Sequence, residues 1–537
     1  MPAGLVFGKD RSVPPDFDPL AERFWFSAEG LRRIGTLLPP FLLRRRWFAG
    51  KAHGLEEVQV ADAFCLGPRE AGLRLLLLRV RFATGETALF TLPLRLTRGA
   101  PPAAVEESDR IGPLSPSSPQ ILWEATGDPL FARALLELLA EERELLGPLG
   151  ILRGRSAPFL AEFRASGVLP EETRLVGREQ SNSALLFGNR LFFKLYRKVE
   201  GGPNPDVEVH ERLSGLLGFP HVPRYAGRLD YDPQNGPSTL LGLLTAAVPH
   251  RSDAWTLALA EVDGLLRQAE KEPVTDYDPS GAAVPRPDWE LLGKRTAEFH
   301  LAMASVPEDP AFRPEPLGEQ ETLLLSEEAS VLLRRSFGIQ NGSKEPPSGE
   351  EGQRLAVLFP RLESAFRRLS MVRPTLHKIR IHGDYHLGQV LVTDDDFVLI
   401  DFEGEPERPL AERRRKAIAL RDVAGMVRSF HYAALAPIFL SVPANPHRMD
   451  RQKVADRWRH QATQSFLDGY YRTAGNAPFL PRGEEARRAL LEFFLLEKAV
   501  YEVGYERNNR PAWIEIPLRG IEELLATGRK SEENRQP

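Results

Sequence analysis

Two histidines and a series of carboxylates cluster in one otherwise apolar stretch, IHGDYHLGQVLVTDDDFVLIDFEGEP, which runs from Ile381 to Pro406. Asp401, Glu403 and Glu405 directly follow residues 398–400, an apolar run typical of a buried strand. Burying carboxylates beside aliphatic side chains is costly unless a cation or hydrogen bonds compensate. The stretch therefore predicts either a bound cation or a buried hydrogen-bond network.

The spacing of these residues is typical of a kinase catalytic loop followed by a β-hairpin. His382-Gly-Asp384 precedes Gln389 by a few residues, and two short apolar strands joined by an acidic turn then lead to Asp401. Such a hairpin brings Gln389 and Asp401 within reach of each other. In phosphotransferases of the protein-kinase type, a carboxylate orients the attacking hydroxyl, while an amide and a second carboxylate bind Mg²⁺.

We therefore predict Asp384 as the catalytic carboxylate and Gln389 and Asp401 as ligands of a Mg²⁺ ion that arrives with ATP. Oxygen ligands and incomplete protein coordination suit magnesium better than zinc. The alternative is a structural network of His382, Asp384 and Asp401 that holds no metal.

An upstream strand-rich region supplies candidates for nucleotide binding. Residues 173–198 predict a three-strand meander, with Lys194 in the middle of the strand LFFKLY. Lys194 would reach phosphates, and Glu208 in the following helix would pair with it. The alternatives are a solubility lysine on an edge strand and a first-turn acid favoured by the helix dipole. Three small polar residues replace the glycines of a kinase phosphate loop: Ser181, Asn182 and Ser183.

A predicted helix from Leu490 to Asn509 carries aromatic and charged residues on one face. Glu497, Tyr501 and Tyr505 follow one another at four-residue spacing and share this face. Lys498, Glu502 and Glu506 lie beside them, and Trp513 lies just beyond the helix. Carboxylates and aromatic rings together are typical of sugar binding. The alternative is a salt bridge between Lys498 and Glu502, with tyrosines half-buried at a contact between lobes.

The wider chain predicts an α+β protein in which a strand-rich lobe precedes a helix-rich lobe. It has 537 residues, a formal net charge of −4 and no extended basic run, so nucleic-acid binding is not expected. A single cysteine, Cys65, and the lack of a signal peptide or membrane span predict a cytoplasmic protein. Residues 128–146 predict one helix, whereas 99–120 and 338–353 predict loops or insertions.

Several motifs together resemble the maltokinases, bacterial enzymes of the aminoglycoside-phosphotransferase-like branch of the kinase-like superfamily. They are RWFAGK at 46–51, SNS at 181–183, NPDVEVHERL at 204–213, HGDYHLGQVL and IDFEGEP in the acidic stretch, LRDVAGMVRSFHYAA at 420–434, and EKAVYEVGYERNNRPAWIEIPLRGI near the C-terminus. This set is far more specific than the general kinase pattern, and it extends over most of the chain.

The resemblance implies a bilobal protein-kinase-like fold with an N-terminal cap subdomain. The expected divisions are a cap at 1–98, a linker or insertion at 99–127, an intermediate subdomain with the strand-rich lobe at 128–245, a helical lobe at 246–526 and a tail at 527–537. It also implies ATP-dependent phosphorylation of maltose at the anomeric hydroxyl, giving α-maltose 1-phosphate for α-glucan synthesis. Trehalose synthase would be the pathway neighbour and, in some bacteria, a physical partner.

The resemblance implies the same roles for Asp384, Gln389, Asp401 and Lys194, and it places the sugar site in the helical lobe. The candidate acceptor residues are His382, Glu403, Lys498, Tyr501, Glu502, Tyr505 and Trp513. Two alternatives remain: a kinase for another small polar acceptor, such as glucosamine or an aminoglycoside, and a non-catalytic pseudokinase scaffold.

Overall fold

The computed structural model describes residues 27–533, apart from gaps at 69–70, 103, 115–118, 166–169, 171, 178–180, 270–287, 307, 340–348, 373–374, 407 and 440–447. The chain forms two compact units. Unit 1 comprises Met1–Gly218 and Pro223–Pro249, and unit 2 comprises Phe219–Val222 and His250–Pro537. Most of the predicted insertion at 338–353 lies outside the described residues, as does the start of the predicted cap. Among the described residues, no helix combines the length and apolar character that a membrane span requires.

Unit 1 begins with two helices, α1 (Ala28–Leu37) and α2 (Pro39–Arg44), that pack on an antiparallel sheet. The strands of this first sheet are β1 (Leu55–Cys65), β2 (Leu73–Phe82), β3 (Thr87–Arg98), β4 (Arg110–Pro113) and β5 (Gln120–Glu124), in the order β1-β2-β3-β5-β4. Strand β2 is apolar along most of its length because its two faces contribute to two different cores. Leu76 and Leu78 pack with α1 and α2, whereas Leu75 and Leu77 belong to a second cluster.

The second sheet of unit 1 has seven antiparallel strands. They are β6 (Glu144–Leu146), β7 (Gly150–Ser156), β8 (Thr173–Val176), β9 (Ser183–Phe187), β10 (Leu191–Leu195), β12 (Tyr225–Pro233) and β13 (Thr239–Ala246), in the order β6-β7-β12-β13-β10-β9-β8. The predicted meander is confirmed as β8, β9 and β10. The short β11 (Lys198–Val199) continues from β10 and pairs with β3, so it joins the first sheet.

Two expectations for unit 1 differ from the structure. The single helix predicted over 128–146 is wrong beyond Ala140: helix α3 spans Pro129–Ala140 with Asp128 as its N-cap, and β6 follows. Glu142 has a φ of 50°, a left-handed conformation that cannot continue a right-handed helix. Residues 99–127, predicted as a linker, contain β4 and β5, which complete the first sheet.

Unit 1 also contains helices α4 (Pro158–Ala165) and α5 (Pro205–His210). Helix α5 has Asn204 as its N-cap, whose side chain accepts a hydrogen bond from the backbone N–H of Asp206. The chain continues from α5 into a π-helical turn at Glu211–Leu216.

Unit 2 is mainly helical. Its longer helices are α6 (Ala254–Ala269), α7 (Trp289–Met303), α8 (Glu319–Ser336), α9 (Glu350–Val372), α11 (Leu420–Phe439), α12 (Arg448–Ala474), α13 (Glu484–Asn509) and α14 (Glu515–Glu533), and α10 (Leu410–Arg413) is short. Helix α14 continues through most of the range predicted as a tail. Helices α7 and α12 approach closely at Gly293, where an added Cβ would lie 1.9 Å from the carbonyl oxygen of Phe466.

Two small sheets in unit 2 lie in or directly before the acidic stretch. Strands β17 (Val390–Val392) and β18 (Phe397–Leu399) form the predicted antiparallel hairpin, and β14 (Ser252–Asp253) extends it. Strands β15 (Glu315–Pro316) and β16 (His377–Lys378) pair just before the predicted catalytic loop. The hairpin prediction is confirmed because its two apolar strands pair across the acidic turn at 394–396.

Candidate active site

The hairpin brings Gln389 and Asp401 together at its open end. Gln389 lies in a 3₁₀ turn just before β17, and its Nε2 donates to Asp401 Oδ2 at 3.0 Å. The backbone N–H of Ile400 also donates to the carbonyl of Gln389 at 3.0 Å. Asp401 has a φ of 66°, a left-handed conformation that Asp and Asn adopt more readily than most residues. Two oxygen-bearing side chains are thus adjacent, which is the donor set that suits Mg²⁺.

A buried carboxylate, Asp422 on α11, holds the loop that carries Asp384. Its two oxygens accept hydrogen bonds from the backbone N–H groups of His382, at 2.7 Å, and Gly383, at 3.0 Å. His300 Nε2 lies 3.1 Å from the same carboxylate. Burial would raise the pKa of Asp422, but the hydrogen bond and charge of His300 outweigh burial and lower it. Asp422 therefore fixes the backbone directly before Asp384.

His382 has a structural role in this loop. Its side chain is 1% exposed, and Nε2 donates to the carbonyl of Ile400 at 3.0 Å. This hydrogen bond connects the loop to the end of the hairpin beside Asp401. The interpretation of His382 as an acceptor ligand is therefore not supported by its position, because the ring is enclosed among protein atoms.

Asp384 is itself partly exposed, and Lys498 of α13 lies beside it. The side chain of Asp384 is 27% exposed, and its Oδ1 lies 3.9 Å from Lys498 Nζ. Lys498 Nζ also donates to Glu405 Oε1 at 3.0 Å. Burial would raise the pKa of Glu405, but the charges of Lys498 and Arg408 outweigh burial and lower it to about 2. Glu403, which is half-buried, follows Asp401 in the same segment.

The aromatic face predicted on α13 is present. The rings of Tyr501 and Tyr505 stack with centroids 6.3 Å apart, and Lys498 Nζ lies 4.7 Å from the Tyr501 centroid. Beyond the helix, Trp513 stacks on Tyr432 at 6.2 Å. Lys498, Tyr501 and Tyr505 therefore lie on one face, since residues three or four apart on a helix are neighbours.

Glu502 of α13 bonds to a cation from another helix. Glu502, a predicted acceptor ligand, is 9% exposed, and its carboxylate accepts from Arg428 Nη2 at 2.6 Å. It does not pair with Lys498, so the proposed i, i+4 salt bridge is absent and both residues have distant partners. Sequence spacing assigns a helix face, but it cannot show which neighbouring helix supplies the counter-charge.

In unit 1, Lys194 lies on β10 and pairs with a residue that the sequence reasoning missed. Its Nζ lies 3.0 Å from Asp206 Oδ2 at the start of α5, and Tyr196 Oη donates to the same oxygen at 2.7 Å. Burial would raise the pKa of Asp206, but the charge of Lys194 helps to outweigh burial and lowers it well below its usual range. Glu208, the predicted partner, is half-buried two residues further along α5.

The loop at 181–183 is fixed by Arg197. Ser183 Oγ accepts from Arg197 Nε at 2.9 Å, and Asn182 Oδ1 accepts from the Arg197 backbone N–H at 3.2 Å. Ser181 is exposed. The arginine directly after LFFKLY was the available signal for this contact, although the sequence alone does not reveal its partners.

Comparison with known proteins bears on the fold and on the family resemblance. Residues 41–128 match the family described as the maltokinase N-terminal cap domain. A solved structure of glucosamine kinase in complex with glucosamine, ADP and inorganic phosphate superimposes with a TM-score of 0.61 at 21% identity, covering 88% of this chain and 96% of that one. The protein therefore has the fold of that kinase and a cap resembling that of maltokinases.

Two curated relatives are similar in sequence. The glucosamine kinase of Streptacidiphilus jiangxiensis is 26% identical over 349 residues, covering 65% of this chain and 72% of the relative. That of Mycolicibacterium smegmatis is 24% identical over 352 residues, covering 65% and 79% respectively. The comparisons confirm the resemblance to maltokinases and related kinase-like proteins. They support a kinase for a small molecule without distinguishing its acceptor.

Proposed function

We propose that this protein is an ATP- and Mg²⁺-dependent kinase that transfers the γ-phosphoryl group to the anomeric hydroxyl of maltose. The observation that carries the kinase proposal is the hairpin geometry: Gln389 and Asp401 touch, and the same segment connects through His382 to the loop of Asp384. Maltose as the acceptor is supported by the cap match and by the quoted motifs.

In this mechanism Asp384 orients the acceptor hydroxyl and takes its proton. The hydroxyl oxygen forms a bond to the γ-phosphorus, the bond from that phosphorus to the bridging oxygen breaks, and ADP leaves. Because such transition states are loose, positioning and charge stabilisation contribute more than basicity. Lys194 would bind phosphate oxygens, with the loop at 181–183 supplying backbone N–H groups and hydroxyls.

Gln389 and Asp401 would hold Mg²⁺, which neutralises phosphate charge when bound. Their oxygen atoms and their adjacency fit such an ion. The amide of Gln389 would turn its oxygen towards the metal.

The proposal extends to a cytoplasmic location, α-maltose 1-phosphate as product, and trehalose synthase as supplier of maltose and partner. These parts rest on the resemblance and on the single cysteine of the chain.

The test is a coupled ADP-release assay with Mg-ATP and four acceptors in parallel: maltose, glucose, glucosamine and kanamycin. We expect selective turnover of maltose to an acid-labile phosphate. Selective turnover of glucosamine would instead assign the activity named for the relatives. If no acceptor is used although Mg-ATP raises the melting temperature, the pseudokinase alternative is favoured.

The matched variant for this assay is Asp384→Asn, which keeps the shape of the side chain. We expect it to abolish turnover and leave the affinity for ADP nearly unchanged. Loss of ADP binding in Asp384→Asn would contradict the role assigned to Asp384.

A further inference from the structure

Lys498 connects the proposed catalytic carboxylate to the aromatic face of α13. Its Nζ lies 3.9 Å from Asp384 Oδ1 and 4.7 Å from the ring centroid of Tyr501. Glu405 holds the ammonium group at 3.0 Å and is itself held by Arg408 Nε at 2.6 Å. The position of the lysine is therefore fixed by a chain of ion pairs within unit 2.

The ammonium group of Lys498 remains charged in this environment. Burial would lower its pKa, but the carboxylates of Glu405 and Asp384 outweigh burial and hold the pKa well above its usual value. The side chain is 26% exposed, so water or a bound molecule can reach part of it. An acceptor placed with a hydroxyl at Asp384 would therefore meet a fixed positive charge.

Three other acids on α13 do not offset that charge, because each already has a cationic partner. Glu497 accepts from Arg421 at 2.6 Å, Glu502 from Arg428 at 2.6 Å, and Glu506 from Arg510 at 2.7 Å. Recognition of an ammonium group would call for carboxylates that are not already paired. At these three positions the helix offers none to a cationic acceptor.

We propose that Lys498 determines acceptor specificity by rejecting sugars that carry an ammonium group and admitting neutral ones. This inference rests on the proposed function and narrows its substrate class. A second cation brought near Lys498 loses hydration and meets repulsion, whereas a hydroxyl at the same position can accept a hydrogen bond from the ammonium group. Specificity arises from the penalty on the wrong acceptor as well as from contacts with the right one.

Glucose and glucosamine provide the direct test, since they differ by one hydroxyl in place of one ammonium group. In the wild type we expect kcat/KM for glucose to exceed that for glucosamine at pH 6.5. Lys498→Met removes the charge and keeps much of the volume. We expect Lys498→Met to shift the ratio of kcat/KM for glucosamine to kcat/KM for glucose in favour of glucosamine by about tenfold. This magnitude assumes that the two ammonium groups repel each other over ~8 Å at a moderate dielectric constant and that Glu405 partly compensates the repulsion.

A pH series separates this role from a merely structural one. The glucosamine amine loses its proton near pH 8, as α-amino groups do. The wild-type preference for glucose should therefore weaken between about pH 6.5 and 9, whereas the preference of Lys498→Met should stay flat over that range. Arg421→Met is the matched control, since it removes a cation of α11 that pairs with Glu497 of α13. It should leave the pH dependence of the ratio like that of the wild type.

The inference is overturned if wild-type protein uses glucosamine as efficiently as glucose at pH 6.5, or if Lys498→Met lowers both activities without changing their ratio. If the wild type phosphorylates neither glucose nor glucosamine, saturation-transfer NMR with these two sugars decides the inference separately. The proposed function fails only if maltose is not phosphorylated either. Equal binding of glucose and glucosamine by the wild type would then refute the inference, while weaker glucosamine binding that recovers in Lys498→Met would support it.

Discussion

Replacing Arg197 with Met should loosen the loop at 181–183 from the first sheet of unit 1. The arginine is 2% exposed, and its Nη2 donates to Glu124 Oε1 at 3.0 Å and to Thr126 Oγ1 at 2.9 Å. Its Nε donates to Ser183, so one guanidinium joins the loop to β5. Methionine preserves much of the side-chain volume and removes every N–H donor of the guanidinium. The substitution therefore tests the side-chain hydrogen bonds more than the packing.

The structure gives the expected magnitude. Removing one partner of a buried ion pair costs about 3–5 kcal/mol, because the remaining charge stays buried. Glu124 is 4% exposed, and after the substitution the hydroxyl of Thr126 would still donate to its carboxylate. Trp47 lies 4.5 Å below the guanidinium, and losing this cation–π contact adds roughly 1 kcal/mol. We expect the free energy of local unfolding of β9 and β5 to fall by about 5 kcal/mol.

Hydrogen exchange with mass spectrometry measures this local change, and calorimetry measures ADP affinity in the same variant. Ordering a loop residue costs about 1–2 kcal/mol, so a loosened loop should weaken ADP binding by roughly tenfold. Arg95→Met is the control, because Arg95 pairs with Asp128 at 2.5 Å in the same unit and Asp128 caps α3 rather than holding the loop. It should destabilise unit 1 without altering ADP affinity.

The double variant Arg197→Met/Glu124→Leu adds a second check. Removing the orphaned carboxylate should restore much of the stability. It should not restore ADP affinity, since Ser183 still lacks the guanidinium donor of Arg197. Wild-type exchange protection of β9 in Arg197→Met, or equal loss of ADP affinity in Arg95→Met, would refute this reasoning.

Three further predictions concern unit 2. Asp401→Asn and Asp401→Ala should both abolish Mg²⁺-dependent turnover. The Asp401→Ala protein should be less stable than Asp401→Asn by roughly 1 kcal/mol, because Asn tolerates the φ of 66° better than Ala does. Equal melting temperatures of the two variants would contradict this. Gly425→Ala places a Cβ 2.5 Å from the Tyr385 carbonyl beside the catalytic loop, so kcat should fall on the order of 100-fold while the fold persists in circular dichroism. The pKa of Glu405 is lowered from 4.5 to about 2, so the ionised carboxylate stabilises the fold by roughly 3 kcal/mol above pH 4.5, and this stabilisation is lost as the pH falls towards 2. In an acid titration of stability, Glu405→Gln should lack that loss. The same loss of stability in acid for Glu405→Gln as for the wild type would argue against the pairing.

Local sequence patterns were sufficient for the elements whose partners are close in the chain. The meander β8–β10 and the hairpin β17–β18 were predicted correctly, because each strand pairs with its neighbour across a short turn. The contact between Gln389 and Asp401 follows from that hairpin register. The start of the helix predicted at 128–146 was correct for the same reason, since its N-cap Asp128 bonds within the first turn of that helix.

Contacts between distant segments were not accessible to the same reasoning. The sequence offered Glu208 as the partner of Lys194, and it gave no sign of the ion pair that Lys194 forms with Asp206, two residues before Glu208. The sequence predicts a linker or insertion at 99–127, although β5 in this range pairs with β3. Strand β3 also pairs with β11, which lies about 100 residues further along the chain. Strand pairing of this kind depends on which edges meet after folding, and hydrophobic alternation alone does not specify that.

The sequence alone predicts which residues carry out phosphoryl transfer, because Asp384, Gln389, Asp401 and Lys194 have the types and order that this reaction requires. Which charged side chains already have a partner follows from the folded structure instead. Glu502 looks like an acceptor ligand on a helical wheel, yet it is buried against Arg428, while Lys498 reaches Glu405 and Asp384. The reason is physical: periodicity fixes the direction of a side chain from its helix, but its counter-charge comes from elements folded against that face.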